Sequence, residues 1–261
     1  MNTENSHTEV TILGSGTCVP SLQRSSCSVL IETGNKKLLF DAGPGTMRRL
    51  LEAGHSIFDI SHIFLSHFHP DHSGELVPFL FATKYPDKGK RKKTLTIIAG
   101  KGFVSFYDLL QNVYGDWIEL SPGIVDIIEF SNTSHDTRRF ADFAVESCPV
   151  EHRKESVAFR ITDNRGKSIV YSGDTDVSDN LVALAKNADL FICESAFPDE
   201  QKTEGHLTPC LAGEIASRAA VRQLVLTHFY PACDTVDIKK QCRGTYAGPL
   251  HLARDLLTIR I

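Results

Sequence analysis

The sequence lacks the features that mark several large classes of protein. It has no surplus of positive charge, because 28 lysine and arginine residues stand against 32 aspartate and glutamate residues, giving a formal net charge of −4. A protein that coats nucleic acid over its whole surface is therefore disfavoured, although a local basic patch is not. No apolar run approaches the roughly 18–20 residues that a membrane-spanning helix requires. No internal repeat or low-complexity tract divides the chain.

Other features are absent as well. The opening MNTENSHTEV is polar and contains neither the charged nor the apolar part of a signal peptide. The seven cysteines are odd in number and scattered, without a CxxC pair, so they indicate neither a disulfide framework nor a thiolate metal site. Hydrophobic residues make up 41% and charged residues 23%, which excludes disordered and fibrous classes. We expect a soluble, cytoplasmic protein without a membrane partner.

Apolar stretches of strand length recur along the chain and alternate with turns and helical patterns. They are rich in β-branched residues and bounded by Gly, Pro, Asn or Asp: EVTILGS, SVLIET, KLLFD, HIFLS, LTIIAG, SVAFRIT, SIVYSG, DLFICES and QLVLTH. Helical patterns cover residues 44–53 and 180–187, and a third starts at the cap Thr208 and Pro209. We predict a single domain over residues 1–261 in which helices cover β-sheets, an α/β (α+β) fold.

The segment SHFHPDHSG, residues 66–74, concentrates side chains that bind metals. His67 and His69 alternate directly after an apolar strand, so they point the same way if the backbone stays extended. Asp71 and His72 follow on the next turn, where they can hold a second ion. So many imidazoles and a carboxylate in one short segment are hard to explain by packing, because buried polar groups need compensating partners. The segment therefore predicts a metal site.

Three more candidate ligands lie where apolar stretches end. His152 follows the strand-like ESCPVE, Asp174 ends SIVYSGD, and His228 ends QLVLTH. Open α/β sheets bind their ligands at such an edge. Together with the motif, these residues form a mixed nitrogen and oxygen set that suits zinc and also accommodates manganese or iron.

With these motifs in this order, the chain resembles the metallo-β-lactamase superfamily, and within it the ribonuclease Z-like and related phosphodiesterase branch. LGSGTCVPSLQRSSCS and LLFDAGPGT are also similar to the opening of this branch. The resemblance implies a four-layer αββα sandwich of two mixed sheets flanked by helices. It also implies two divalent ions, most often zinc. His67, His69 and His152 would hold one ion, Asp71, His72 and His228 the other, and Asp174 would bridge them.

The resemblance also assigns supporting and catalytic residues. Asp41 matches an aspartate that supports the centre without binding metal. Glu194 in CESAF and His206 in EGHLTP match a pair in which the histidine acts on the leaving group and the glutamate stands behind it, although Leu207 replaces the serine of the branch. Members that hydrolyse β-lactams commonly carry cysteine where this chain has Asp174, so antibiotic hydrolysis is a weak option.

Two segments depart from the tRNA-processing members of the branch. The interval between His152 and Asp174 is too short for the long arm that holds the tRNA elbow, and FYPACD after His228 lacks an arginine common in those members. We therefore predict a phosphodiesterase for a small, cyclic or single-stranded substrate. Two metal ions would activate a shared water that Asp71 orients, and His206 would protonate the leaving group. The resemblance further implies a homodimer.

Other functions stay open. The same centre could hydrolyse carboxylic esters, lactones or thioesters, and less favoured alternatives are tRNA 3′-end cleavage and a catalytically silent protein that binds nucleotide or RNA. A long nucleic acid is not the favoured partner. One basic segment is either a solvated loop or a patch that steers phosphate. It comprises Lys84, Lys88, Lys90, Arg91, Lys92 and Lys93.

Overall fold

The computed structural model describes residues 7–85 and 90–261. The strands run over Glu9–Gly14 (β1), Ser28–Thr33 (β2), Lys36–Phe40 (β3), His62–Leu65 (β4), Leu95–Gly100 (β5), Val125–Phe130 (β6), Asp136–Arg139 (β7), Phe143–Pro149 (β8), Val157–Asp163 (β9), Ser168–Tyr171 (β10), Leu190–Glu194 (β11), Leu224–Thr227 (β12), Leu250–Leu252 (β13) and Leu257–Arg260 (β14). The helices run over Thr46–Glu52 (α1), Pro70–Ser73 (α2), Leu76–Lys84 (α3), Phe103–Tyr114 (α4), Asp179–Leu184 (α5), Pro209–Arg218 (α6) and Ile238–Arg243 (α7). Short 3₁₀ helices cover Ile57–Asp59, Gly115–Trp117, Asp199–Gln201 and Pro231–Thr235.

Two seven-stranded sheets organise this part of the chain. Their orders are β14-β1-β2-β3-β4-β5-β6 and β13-β12-β11-β10-β9-β8-β7. Both sheets are mixed. In the first, β2 and β3 form an antiparallel hairpin, whereas β3 to β6 run parallel. In the second, β7 to β10 are antiparallel and β10 to β13 are parallel. Parallel neighbours end at the same edge, so residues that follow them are brought together.

The two sheets pack face to face, and helices cover their outer faces. Phe40 and Phe64 of the first sheet stack with ring centroids 4.4 Å apart, and Phe159 of the second sheet meets Phe64 at 5.3 Å. Helices α1, α3 and α4 supply buried side chains such as Leu50 and Phe79 to a separate core on the outer side of the first sheet. Helices α5 and α6 contact the second sheet. The predicted αββα sandwich is confirmed.

The sequence located most elements that border the predicted site. All nine apolar stretches contain a strand, and the predicted helices are present, with α6 starting where Thr208 Oγ1 accepts a hydrogen bond from the Leu211 amide. Helices α2, α3, α4 and α7 were not predicted. The α3 segment LVPFLFATK is apolar except for its last two residues, Thr83 and Lys84, and gives no helical period. The single-domain organisation stays a prediction.

The cysteines form no disulfides. All seven are free thiols, and five of them are buried. Burial raises the pKa of Cys27 and of Cys148 to about 12, which keeps these thiols protonated and unreactive. Within the described ranges, no helix combines the length and the apolar character needed to cross a membrane.

The basic segment is only partly a solvated loop. Arg91 is buried and donates hydrogen bonds to the carbonyl oxygens of Ile60, at 2.9 Å, and Ile57, at 2.5 Å. The Lys84 ammonium contacts the carbonyl of Asp116. Lys88 lies outside the described residues. Arg91 therefore serves the fold and is not available as part of a phosphate-steering patch.

Candidate metal centre

Strand ends deliver the candidate ligands to one edge of the sandwich. The backbone leaves β4 into His67 and His69, and α2 then begins at Pro70 and carries the next two candidates of the motif. Strands β10 and β12, from the parallel part of the second sheet, lead into Asp174 and His228. The remaining histidine, His152, follows β8. The edge predicted from the sequence therefore exists and is shared by both sheets.

The two sheet edges approach closely because of a glycine. Gly173 has φ of 57°, a left-handed conformation that side chains rarely adopt, and a Cβ there would lie 2.4 Å from the Cβ of Ser66. Only glycine therefore lets the residue before Asp174 pass the segment that carries His67.

Two groups of ligand atoms meet at the carboxylate of Asp174. Its Oδ2 lies 3.7 Å from His67 Nε2 and 3.8 Å from His152 Nε2. Its Oδ1 lies 3.2 Å from His72 Nε2 and 3.4 Å from His228 Nε2. Each carboxylate oxygen therefore faces one group of imidazoles.

His69 and Asp71 complete the two groups. His69 Nδ1 lies 3.3 Å from His152 Nε2, and Asp71 Oδ2 lies 3.6 Å from His228 Nε2. Within each group the ligand atoms lie within 4.8 Å of one another. The structure thus brings together all seven residues that the sequence analysis selected: His67, His69, His152 and Asp174 in one group, and Asp71, His72 and His228 in the other.

Three of the candidate histidine ligands are oriented by hydrogen bonds at their Nδ1 atoms. His72 Nδ1 lies 2.7 Å from Asp41 Oδ2 and donates to that carboxylate. The Ser66 hydroxyl donates its one proton to Asp41. It therefore acts as the acceptor towards His67 Nδ1, which lies 3.0 Å away and donates to it. His152 Nδ1 donates to a backbone carbonyl at 2.9 Å. A neutral imidazole that donates through Nδ1 keeps a lone pair on Nε2, and the Nε2 atoms of His67, His72 and His152 all face the centre.

Asp41 connects the supporting residues. It is fully buried and accepts from the Ser66 amide and hydroxyl, both at 2.8 Å, from the Tyr171 hydroxyl at 2.6 Å and from His72. Its φ of 56° is unusual for a residue with a side chain, which shows that the surroundings hold it in place. Ser66 and Tyr171 were not among the site residues predicted from the sequence. Their signal was adjacency to motifs, since Ser66 directly precedes His67.

Polar atoms inside the centre lack ordinary partners, as expected for metal ligands. His67 Nε2 and Asp174 Oδ1 are buried and make no hydrogen bond to the described residues. A buried unsatisfied group costs about 1–3 kcal/mol, so converging orphaned atoms need a ligand to account for them. Nitrogen and carboxylate oxygen donors are those that zinc and related divalent ions take. The donor set therefore fits divalent metal.

The protonation states favour ligation in the first group. Burial lowers the pKa of His67 well below its ordinary value, and the neighbouring His72 lowers it further. Burial also lowers the pKa of His69 and of His152. Burial by itself would raise the pKa of Asp174, but the surrounding histidines outweigh it and hold that pKa well below the ordinary value. Neutral imidazoles and an ionised carboxylate are the forms that bind metal.

His72 behaves differently from these three. Burial would lower its pKa, but the carboxylates of Asp174 and Asp41 outweigh burial and raise it well above the ordinary value. Two carboxylates thus concentrate negative charge around this imidazole. A divalent cation bound there would displace the proton, so uptake of metal is coupled to proton release.

His206 and Glu194 form a fixed pair beside the centre. His206 Nδ1 lies 3.0 Å from Glu194 Oε1 and 4.0 Å from Asp174 Oδ2. The buried Glu194 is held by the amides of Thr175 and Ala196, each at 3.0 Å. Burial would lower the pKa of His206, but the hydrogen bond to Glu194 outweighs it and raises that pKa. His206 therefore presents Nε2 away from its carboxylate and favours its protonated form.

Two aromatic rings that the sequence analysis did not select lie against this pair. Phe197 and Tyr230 stack with centroids 4.4 Å apart, and their rings approach His206 edge-on at 5.9 and 6.4 Å. They follow β11 and β12, whose ends carry Glu194 and His228. Their position after the strands was the signal in the sequence. The apolar patterns did not distinguish these two rings from aromatic residues that only pack in the core.

The family of the chain follows from these features together with comparisons to known proteins. The beta-lactamase superfamily domain matches residues 36–229, and the chain belongs to this superfamily, a family of metal-dependent hydrolases. Within it the chain is ribonuclease Z-like.

Three similar proteins illustrate the relationship. An uncharacterised protein of Mycobacterium tuberculosis is 30% identical over 245 residues, which cover 93% of this chain and 88% of that protein. Ribonuclease Z of Streptomyces coelicolor is 29% identical over 293 positions, covering 97% of each. The metallo-beta-lactamase fold protein YhfI of Bacillus subtilis superposes with a TM-score of 0.84 at 23% identity, covering 98% of this chain and 100% of YhfI.

Proposed function

We propose that the protein is a binuclear metal-dependent phosphodiesterase that acts on a small, cyclic or single-stranded phosphodiester. One observation carries the proposal: two groups of ligand atoms face the two oxygens of the single carboxylate Asp174, and the hydrogen-bonded pair of His206 and Glu194 lies beside it. Two-ion centres of this kind serve in-line displacement at phosphorus.

The proposed ligand set follows the two groups. His67, His69 and His152 would hold one ion, Asp71, His72 and His228 would hold the other, and Asp174, which faces both groups, would serve both ions. Zinc suits this set best, with manganese or iron as alternatives. When bound, two such ions supply an activated water and neutralise the charge of the phosphate.

The two remaining catalytic roles, orienting the water and protonating the leaving group, are assigned to Asp71 and His206. Asp71 lies at the centre with 10% of its side chain exposed. It would help to hold metal there and would orient the attacking water. Glu194 fixes His206 through Nδ1, which leaves the Nε2 proton for the departing oxygen. General acids of this type typically contribute about 10²–10⁴-fold.

Two observations support a small substrate over a tRNA. Between His152 and Asp174 the chain forms only β9 and β10, an antiparallel pair joined by a turn, so no arm projects there. The alignment with the S. coelicolor ribonuclease Z extends over 293 positions, more than the 261 residues of this chain, so that relative contains segments without a counterpart here. We also propose a homodimer, as the resemblance implies.

The substrate preference is testable directly. We expect kcat/KM for bis-p-nitrophenyl phosphate or a short phosphodiester to exceed that for precursor tRNA by at least about 100-fold, because no arm supplies remote binding energy for a tRNA. Purified protein with two ions per chain is assayed on both substrates and on a panel of lactones and thioesters. Efficient release of a tRNA 3′ trailer contradicts the proposal, as does faster turnover of the acyl panel.

A second prediction concerns Asp41. Asp41→Asn should weaken metal binding by about 10–100-fold, because an amide cannot accept all the hydrogen bonds that orient His72 and Ser66. Competition with a chromogenic chelator measures the affinity. Asp126→Asn, which changes an exposed carboxylate on the edge strand β6, serves as the control and should leave affinity unchanged. Unchanged affinity in Asp41→Asn would show that the imidazoles are oriented without it.

A further inference from the structure

Phe197 and Tyr230 form one aromatic surface beside the candidate metal centre, called here the aromatic wall. Their ring centroids are 4.4 Å apart and their planes are 18° from parallel, so the two rings stack as a pair. Both side chains are partly exposed to solvent, so the stack is not part of the buried core. Phe197 follows β11 and Tyr230 follows β12, which are parallel neighbours. The aromatic wall is therefore placed at the same sheet edge as the candidate ligands.

The aromatic wall borders the residue proposed to protonate the leaving group. The ring centroid of His206 lies 5.9 Å from that of Phe197 and 6.4 Å from that of Tyr230, with interplanar angles of 69° and 72°. Tyr230 also lies 6.2 Å from the candidate ligand His228, at 82°. Both rings of the aromatic wall therefore stand next to the place where the departing oxygen would receive its proton.

The chemistry of the aromatic wall suits a planar ring. Neither side chain carries a charge, and the one polar group, the Tyr230 hydroxyl, contacts the thiol of Cys18 at 3.5 Å. Nucleobases stack on aromatic side chains whatever their identity, because every base has a π-face. A sugar or a phosphate is instead held by hydrogen bonds or charge, which the aromatic wall does not offer. It therefore favours a base and gives no means of selecting one base over another by hydrogen bonds.

We propose that the aromatic wall binds the base of the departing group, so that the favoured substrate is a phosphodiester that releases a nucleoside on the side of His206. This inference rests on the proposed phosphodiesterase function and gives its substrate a chemical class. In the reaction, water loses a proton and forms the new bond to phosphorus, the bond from phosphorus to the nucleoside oxygen breaks, and His206 gives that oxygen a proton. Because the aromatic wall and His206 are neighbours, a stacked base keeps the departing oxygen within reach of the imidazole.

The test uses substrates that each have two possible leaving groups, the methyl esters of thymidine 3′-phosphate and thymidine 5′-phosphate. Hydrolysis releases either thymidine or methanol, and both depart as alkoxides that need a proton. The same esters of the abasic sugar give the ratio without a base. We expect the base to raise the release of the nucleoside over methanol by at least about 10-fold, since stacking of one base is typically worth about 5- to 150-fold. The product ratio does not depend on how much of the protein is active, so it reports on binding geometry and not on folding.

Variants of the aromatic wall separate stacking from other roles. Tyr230→Leu keeps an apolar side chain beside Phe197 but removes the aromatic face, so the ratio should fall to nearly that of the abasic esters. Tyr230→Phe keeps the ring and loses only the hydroxyl, so it should retain the wild-type ratio. Tyr85→Leu is the matched control, because Tyr85 stacks on Phe81 at 4.8 Å in another exposed aromatic pair, at the end of α3. It should also retain the wild-type ratio.

The results that overturn the inference differ from those that overturn the proposed function. A wild-type ratio equal to that of the abasic esters overturns the base subsite, as does an unchanged ratio in Tyr230→Leu. A ratio that is lost in Tyr230→Phe assigns the effect to the hydroxyl and overturns stacking. In each of these cases the esters are hydrolysed, so the phosphodiesterase activity stands. Protein with two bound ions that hydrolyses none of the esters overturns the phosphodiesterase together with its base subsite.

Discussion

Asp174→Ala should release at least one of two bound metal ions and reduce hydrolysis of bis-p-nitrophenyl phosphate by at least about 1,000-fold. The reason is the position of the carboxylate, whose oxygens each face a different group of imidazoles, at 3.2–3.8 Å. No other described carboxylate approaches both groups in this way. His69→Ala should also lose metal and activity, but it removes a ligand from one group only.

Elemental analysis of metal content beside steady-state kinetics measures both effects. Asp174→Asn removes the charge at constant size. It should lose nearly as much metal and activity as Asp174→Ala, since an amide offers one oxygen where two are needed. Asp179→Asn is the control, because this aspartate follows soon after in the chain and its side chain is 87% exposed. Wild-type protein that holds at most one ion after careful reconstitution contradicts the binuclear centre.

His206→Ala should keep full metal content and lose turnover in a way that depends on the leaving group. On a dinucleoside phosphodiester, whose departing alkoxide needs a proton, we expect a loss of about 10²–10⁴-fold. On bis-p-nitrophenyl phosphate, whose phenolate leaves without help, the loss should be less than about 10-fold. Glu194→Gln should show the same dependence more mildly, because it weakens the hydrogen bond at His206 Nδ1 without removing the imidazole.

The three roles open to His206 give different results. A residue that only packs beside α6 predicts small losses on both substrates, and a metal ligand predicts lower metal content with equal losses. Equal losses with intact metal would favour phosphate binding over proton donation. His135→Ala, which removes an exposed histidine in the loop before β7, is the control and should match the wild type throughout.

The sequence by itself determined the components of the centre. Four candidate ligands fall in one short segment, and the other three end apolar stretches, so local pattern was enough to select them. The strands of the two sheets could also be predicted, because their apolar stretches and the turn residues that bound them are local features of the sequence. Helix α3 was not predicted because its segment is apolar almost throughout, so the sequence does not distinguish buried positions such as Phe79 from the exposed Phe81.

The family resemblance implied which residues meet, but only the tertiary structure shows the geometry in which they do so. Asp174 faces both ligand groups, and Tyr171 donates to Asp41 across 130 positions of the chain. Both contacts depend on the close approach of the two sheets at Gly173. No local pattern encodes such an approach, since it results from packing between elements distant in sequence. The exposure of Leu109 and Val113 could not be predicted for the same reason. Whether an apolar residue on a helix is buried or exposed depends on its neighbours in space, which the sequence does not give.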